Sequence, residues 1–251
     1  MQDNPNGFDT PMVGLPKDAW LDKLSDIAEE HGYFERLGHK HFTSFVEEGS
    51  TLIVTFETIE GIQELSDTAQ PLGFDIVKAT GWSHLCLISD GDTWFRDPAV
   101  YGYFDRLIDD GFFEEFERVI FYGAGPCGYA AAAFSVASPG ATVVALQPQA
   151  TLDPRVTEWD DRFVHMRRTS FTDRYGYAPD MLDAADRAFV VYDPRVDLDA
   201  MHAALFTRPN VTKLRTANLG DGIESHFFEK QILYRLIVQA GTGKLTSQSF
   251  H

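Results

Sequence analysis

Cysteine and long apolar runs are both scarce in this chain. Cys86 and Cys127 are the only cysteines among 251 residues. Two cysteines in different predicted strand-end regions form neither a disulfide framework nor a CxxC metal site, which favours a reducing, cytoplasmic compartment. No apolar run approaches the roughly 18 residues that cross a bilayer. The polar, proline-broken start, MQDNPNGFDTPMVGLP, does not resemble a signal peptide. We therefore expect a soluble protein with no membrane partner.

Basic residues are also few. Lysine and arginine total 21 against 38 acidic residues, which gives a net charge of −17. Such a surface repels phosphate backbones and anionic lipid, so we expect no nucleic-acid partner. The sequence contains neither GxxxxGK[ST] nor HExxH, and no cluster has metal-ligand spacing, so it predicts no metal site. Hydrophobic residues, at 44% with 20 phenylalanines, suffice for a sizeable core.

Apolar periodicity predicts strands that alternate with helices, which is typical of βαβ units and a mostly parallel, doubly wound sheet. Strands are predicted at Thr51–Glu57, His84–Ser89, Val119–Tyr122, Thr142–Leu146, Ala188–Tyr192 and Val211–Leu214. Helices are predicted at Lys17–Glu30, Gly128–Ala137, Leu198–Phe206 and Glu224–Ala240, with shorter helical segments at Ile59–Leu72, Val100–Ile108, Phe112–Phe116 and Met181–Ala185. No composition shift divides the chain, so residues 1–251 are predicted to form a single α/β domain. Within it we expect an irregular N-terminal arm at 1–16, an insertion or cap at 147–180 and a polar tail at 241–251.

A glycine-rich turn, GAGPCG at Gly123–Gly128, lies between a predicted strand and a predicted helix. It matches the GxGxxG fingerprint whose backbone approaches a pyrophosphate at a helix N-terminus, which would make FAD or NAD the cofactor. Two features count against that interpretation. The next strand ends at Gln147, where a ribose-binding Asp or Glu is usual, and the turn lies mid-chain rather than opening the domain.

The same stretch, FYGAGPCGYAAAAF, resembles the nucleophile elbow of an α/β-hydrolase-like group that is often written YGxSMGGYAAL. Two further segments, HLCLISDGDTWFRD and VVALQPQATLDPRVTEWDDRF, resemble other motifs of that group. Some of its members occur with polysaccharide-biosynthesis or glycosyltransferase genes. The resemblance implies an α/β-hydrolase-like three-layer sandwich with an N-terminal helical arm.

By this resemblance, Gly125 stands where the serine nucleophile belongs, Asp193 where the acid belongs and Asp221 where the histidine belongs. Serine catalysis needs a hydroxyl and a base, and neither Gly125 nor Asp221 supplies one. The resemblance therefore implies a degenerate catalytic triad, and a protein without catalysis or with a ligand-binding role, with a possible link to glycan metabolism. No cofactor is expected under this interpretation.

The mouth above Gly125 is the expected ligand pocket. Its candidate lining residues are Gly123, Gly125, Pro126, Trp94, Trp159 and Tyr192. The aromatic members suit a small planar molecule or a glycan, and free helix N–H groups suit a small anion. An alternative is a thiol hydrolase that uses Cys127 with His226 or His202 as base, although packing is the commoner role of such a cysteine. A further alternative is an interaction subunit whose N-terminal arm docks on a partner or on a second copy of the chain.

Overall fold

The structure is a computed structural model that describes residues 7–250. Within this range the chain forms one eight-stranded sheet with helices on both faces. The strands are β1 (Gly32–Leu37), β2 (His41–Val46), β3 (Thr51–Thr58), β4 (Ser83–Ser89), β5 (Arg118–Ala124), β6 (Thr142–Leu146), β7 (Arg187–Tyr192) and β8 (Val211–Arg215). Their order in the sheet is β1-β2-β4-β3-β5-β6-β7-β8. The predicted fold class, a mostly parallel α/β sheet, is confirmed.

The helices alternate with these strands. They are α1 (Lys17–His31), α2 (Ile59–Leu65), α3 (Leu72–Thr80), α4 (Pro98–Asp109), α5 (Pro126–Phe134), α6 (Pro154–Thr157), α7 (Ala178–Met181), α8 (Asp197–Leu205), α9 (Ile223–Glu229), α10 (Ile232–Gly241) and α11 (Ser247–Phe250). None of the described helices is long and apolar enough to span a bilayer.

The direction of pairing changes at β4. The β1–β2 and β2–β4 pairs are antiparallel, whereas every pair from β4 through β3 to β8 is parallel. The carboxyl ends of the parallel strands therefore meet at one edge of the sheet, where ligands bind in open α/β folds.

Side-chain alternation along each strand divides the core between the two sheet faces. On β5, Phe121 joins the cluster that also contains α4 and α5, whereas Tyr122 joins the opposite cluster with α9 and α10. A third cluster covers the β2–β4 end of the sheet beneath α1 and α3. Because successive side chains point to opposite faces, this arrangement forms three layers of helix, sheet and helix.

Three details differ from the sequence predictions. The predicted helix Glu224–Ala240 is two helices, because Gln231 adopts a left-handed conformation with a φ of 57° between them. Strand β1 and helix α3 were not predicted. The part of the N-terminal arm that the structure describes is packed rather than free, since Phe8 and Met12 are buried in the third cluster; residues 1–6 lie outside the described range.

The segment 147–180 contains only short helical turns and packs on α5. The Tyr129 hydroxyl donates a 2.5 Å hydrogen bond to the Tyr175 carbonyl, and Phe171 packs on the Tyr129 ring at a centroid distance of 5.5 Å. This segment therefore buries the outer face of the helix that follows the glycine-rich turn.

Candidate functional site

Gly125 forms the sharp turn between β5 and α5. Its φ of 55° and ψ of −126° lie in a region that side chains strongly disfavour. Its N–H donates a 2.8 Å hydrogen bond to the Leu146 carbonyl, and its own carbonyl accepts one of 2.9 Å from the N–H of Tyr129. A Cβ atom at Gly125 would meet nothing within 4 Å. The turn is thus a sharp strand-to-helix elbow, which glycine adopts without strain and which has open space above its central residue.

The neighbouring glycines are required by packing within the turn. A Cβ on Gly123 would lie 2.2 Å from the Cys127 carbonyl oxygen, and one on Gly128 would lie 2.9 Å from the Leu146 carbonyl oxygen. Both contacts are with backbone, which cannot easily move away. The GxGxxG spelling is therefore explained by the close approach of β5, β6 and α5, without reference to a pyrophosphate. Binding of FAD or NAD to this turn stays a prediction.

The first helical residue after the elbow is Pro126. Proline has no backbone N–H. At this position α5 therefore offers no donor to a group held above Gly125. The missing N–H of Pro126 weakens the prediction that several free N–H groups at the start of α5 bind a small anion.

A cavity of about 260 Å³ opens beside the elbow. It lies at the carboxyl ends of β3, β4 and β5. Its walls are Phe56, Glu57, Thr58, Glu60, Gly61, Ile62, Leu65, Ser89, Gly91, Asp92, Thr93, Trp94, Phe95, Ala124, Pro126, Cys127 and Glu224. Four of these residues are acidic and none is Lys, Arg or His, so the cavity disfavours an anion.

Glu224 reaches the cavity from the first turn of α9. Its Oε1 accepts a 2.5 Å hydrogen bond from the hydroxyl of Tyr122, which is buried on β5. Burial raises the pKa of Glu224 to about 7; the Tyr122 hydrogen bond opposes the rise, and repulsion from Glu57 adds to it. The carboxyl therefore changes charge close to neutral pH.

Glu57 reaches the cavity from the end of β3. Its Oε1 accepts a 2.6 Å hydrogen bond from the Thr55 hydroxyl, and its Oε2 accepts one of 3.1 Å from the N–H of Leu72. Burial raises the pKa of Glu57, while these hydrogen bonds oppose the rise. Two carboxyls from opposite walls thus resist ionisation in the same cavity.

A possible metal-ligand set adjoins Glu57. One ligand atom each from Glu57, His84 and Cys86 lies within 4.8 Å of the others. His84 Nε2 hydrogen-bonds at 2.8 Å to the Thr55 hydroxyl, and the Cys86 thiol donates to Glu57 Oε1 at 3.4 Å. Burial lowers the pKa of His84 to about 3, so the ring is neutral, as a ligand must be. Hydrogen bonds within the set already engage His84 Nε2, the Cys86 thiol and Glu57 Oε1, while His84 Nδ1 has no partner among the described residues. The cluster carries no further argument for a metal.

Cys127 is the second residue of α5 and lines the cavity. Its side chain is 9% exposed. Burial raises the pKa of the thiol well above its usual value, and the carboxyls of Glu224 and Glu57 raise it further. A thiol that stays protonated is a poor nucleophile, so the geometry does not favour Cys127 as a catalytic residue.

Asp193, the predicted acid, connects two loops at the sheet edge. Its Oδ1 accepts a hydrogen bond from the N–H of Arg195 at 2.9 Å, and its Oδ2 accepts bonds from Leu219 at 2.8 Å and Gly220 at 2.9 Å. These backbone donors, Gly220 foremost, lower the pKa of the Asp193 carboxyl. The next residue, Asp221, is exposed. The structure thus brings Asp193 to the loop that carries Asp221, but neither residue lines the cavity.

Of the other predicted pocket residues, only Trp94 and Pro126 line the cavity. Trp159 packs on His202, at 4.7 Å between ring centroids, and Tyr192 is buried with its hydroxyl accepting from Arg215. His226 lies on α9 and does not line the cavity.

His202, the alternative base, belongs to a buried polar network. Its Nδ1 accepts a hydrogen bond from the N–H of Ala150 at 3.1 Å, and its Nε2 donates to Asp160 at 2.9 Å. Arg162 joins Asp160 to Asp199 in the same network. Both ring nitrogens of His202 therefore hold the segment after β6 in place.

The sequence prediction missed Glu57 and Glu224. Glu57 ends a strand that was predicted, and the carboxyl ends of parallel strands were the expected binding edge, so its place in the chain was an available signal. Glu224 carries no such signal, because its place at the cavity depends on a contact with Tyr122, which is distant in the sequence.

No protein-family model matches the chain, and no curated protein matches it in sequence. Solved structures do match. The capsule O-acetyltransferase of Neisseria meningitidis serogroup A is 12% identical over 82% of this chain and 94% of its own, with a TM-score of 0.54.

The Pyrobaculum calidifontis esterase is 13% identical over 90% of this chain and 92% of its own, with a TM-score of 0.53. The Glycosylation Associate Protein (Gap123) complex from Streptococcus agalactiae is 13% identical, with a TM-score of 0.53; the match covers 84% of this chain and 47% of that one. At these identities the similarity concerns the fold alone. Together with the strand order and the elbow, it shows that the chain has an α/β-hydrolase-like fold.

Proposed function

We propose that this protein binds a small hydroxylated ligand, a carbohydrate unit, in the cavity beside Gly125, and that it does not carry out serine-type acyl transfer there. The observation that carries the proposal is the elbow itself. In this fold the nucleophile occupies the strained turn after the fifth strand, and here that turn is Gly125, followed by Pro126.

The chemistry around the elbow supports the same conclusion. The residue after the nucleophile normally donates its backbone N–H to the oxyanion, and Pro126 has none. No histidine lines the cavity, and the Cys127 thiol is held protonated by burial. Nucleophile, oxyanion donor and base are therefore each unsupported by the residues beside the elbow.

The ligand class is argued from the cavity walls. The carboxyls of Glu57 and Glu224 accept hydrogen bonds, as sugar hydroxyls require, and Trp94 is one of the apolar residues that line the cavity. Two proteins with a similar fold are named for work on glycans: a capsule O-acetyltransferase and a glycosylation-associated protein. A link to glycan metabolism is part of the proposal on that ground.

Acyl transfer is tested with p-nitrophenyl esters and with acetyl-CoA plus oligosaccharides. We expect no turnover by the unmodified protein. Gly125→Ser adds a hydroxyl at the elbow, and Gly125→Ala is the matched control because it imposes the same backbone strain without a hydroxyl. The two variants should be equally inactive. Robust turnover by the unmodified protein would overturn the proposal. Turnover by the serine variant alone would show that a base and an oxyanion site are present and that the unmodified protein lacks only the hydroxyl.

A further inference from the structure

The cavity beside Gly125 has an unbalanced charge. Glu57 and Glu224 lie within it, Glu60 and Asp92 stand at its walls, and no lining residue carries a positive charge. None of the ion pairs among residues 7–250 involves Glu57 or Glu224. Carboxyls that are drawn out of water without a cation cost free energy, and a bound cation would remove that cost.

We propose that the ligand carries a primary ammonium group, as an amino sugar does, and that this group binds between the carboxyls of Glu57 and Glu224. The inference rests on the proposed function, because it specifies the ligand of the same cavity. It assigns the ammonium to the acidic wall and the hydroxylated ring to the wall formed by Trp94.

Free acceptor capacity supports this placement. Glu224 uses Oε1 to accept the hydrogen bond from Tyr122, and its Oε2 accepts none from residues 7–250. Glu57 Oε1 already accepts from Thr55 and Cys86, whereas its Oε2 accepts only from the N–H of Leu72 and keeps a second lone pair. An ammonium has three N–H donors and no acceptor, which matches a wall that offers acceptors only.

The aromatic wall supplies an independent observation. Trp94 lines the cavity and is 1% exposed, yet its indole N–H has no acceptor among the described residues. A buried N–H of this kind costs free energy until it finds a partner. A ligand oxygen that reaches this N–H would provide that partner, so a molecule with both a cation and a neutral acceptor suits the site.

The size of the cavity limits the ligand to one ring. Pockets for drug-sized molecules span roughly 300–1,000 Å³, whereas this cavity measures about 260 Å³. A hexosamine with a free amine satisfies the size, the hydroxyl content, the acceptor requirement and the charge. A phosphorylated sugar does not, because its negative charge would face four acidic residues.

The test is titration calorimetry at pH 7.5 with glucosamine, N-acetylglucosamine, glucose and 2-aminocyclohexanol. The first two differ in the charge on nitrogen, and the last carries an ammonium on a ring that is not a sugar. We expect glucosamine to bind at least about tenfold more tightly than N-acetylglucosamine and glucose. Glu224→Gln should remove most of that difference.

Glu229→Gln is the matched control, since Glu229 lies on the same helix with an exposed side chain, and it should leave glucosamine binding unchanged. Equal binding of all three sugars would overturn the cation assignment and leave the carbohydrate proposal standing. Binding of 2-aminocyclohexanol without any sugar would support the cation and overturn the carbohydrate. Binding of none of the four would overturn both.

Discussion

The Tyr122 hydroxyl donates a 2.5 Å hydrogen bond to Glu224 Oε1 and joins the centre of the sheet to helix α9. Burial raises the pKa of Tyr122 well above its usual value, and the neighbouring Glu224 carboxyl raises it further. The phenol therefore remains a donor throughout the stable pH range. A protonatable carboxyl is thus held at a fixed place in the cavity, in surroundings that penalise its charge.

This arrangement predicts that the stability of the protein depends on pH through the ionisation of Glu224. Its pKa is about 7 in the folded protein against the ordinary 4.5, so the folded state holds the proton more tightly between these pH values. The contribution of Glu224 to the free energy of unfolding is therefore most favourable below about pH 4.5, and it falls as the pH rises to about 7. The shift from 4.5 to about 7 corresponds to at most about 3–4 kcal/mol. Glu224→Gln should stabilise the protein at pH 8 and change little at pH 5, as measured by urea unfolding.

Several charged or titratable groups influence Glu224, and the experiment must separate them. Glu57 and Asp92 carry carboxyls at the cavity, and Cys127 lines it from α5. Tyr122 contacts Glu224 from β5 through its hydroxyl. Glu229→Gln serves as the control on the same helix. If unfolding free energies of the unmodified protein and Glu224→Gln differ equally at pH 5 and pH 8, Glu224 is not the responsible group.

The elements that positioned the elbow could be predicted from the sequence, because β5, β6 and α5 have continuous apolar or small residues bounded by glycines. The residues that line the cavity could not be predicted in this way. Glu224 was predicted to lie within one long helix, and the left-handed Gln231 that shortens it has no glycine to mark it. Trp159 was predicted as a pocket wall, but it packs on His202 because the segment after β6 folds back on α8. Contacts between distant segments determine both positions, and periodicity carries no information about them.

The two elbow glycines should respond differently to alanine. Gly123→Ala places a Cβ 2.2 Å from the Cys127 carbonyl oxygen, so the β5–α5 contact must open and we expect a loss of several kcal/mol or failure to fold. Gly125→Ala meets no atom within 4 Å and costs only backbone strain, about 1–3 kcal/mol. Thermal and urea unfolding measure both.

Gly102→Ala provides the control for these variants. Gly102 lies in the middle of α4, with nothing within 4 Å of the added Cβ and without a positive φ. Alanine there should stabilise the protein by about 0.5–1 kcal/mol. A Gly123→Ala variant as stable as Gly125→Ala would contradict the packed geometry of the turn.

Asp193 should hold the loop after β8 in place, whether or not the site has catalytic activity. Its two carboxylate oxygens accept three backbone N–H groups, and an asparagine has only one acceptor oxygen. Asp193→Asn therefore turns an amide N–H₂ towards at least one of these donors. We expect amide hydrogen exchange to accelerate by at least about tenfold at one or more of Arg195, Leu219 and Gly220.

Asp221→Asn tests whether this effect is specific, because Asp221 is exposed in the same loop. It should leave exchange at Leu219 and Gly220 unchanged. Equal acceleration in both variants would mean that loss of negative charge, rather than loss of the three hydrogen bonds, loosens the loop.

The last prediction concerns the Cys127 thiol. Since burial and the Glu224 and Glu57 carboxyls raise its pKa well above the ordinary value, little thiolate is present at pH 8. Iodoacetamide should therefore label it at least about a hundredfold more slowly in the folded protein than in urea. The chain has only one other cysteine, the fully buried Cys86. The variant Cys86→Ser therefore leaves Cys127 as the single site of labelling for mass spectrometry. Glu224→Gln removes one of the charges that raise the Cys127 pKa and should accelerate the labelling, whereas Glu229→Gln should not. Rapid labelling of the folded protein at pH 7 would instead identify a thiolate at the elbow and restore Cys127 as a candidate nucleophile.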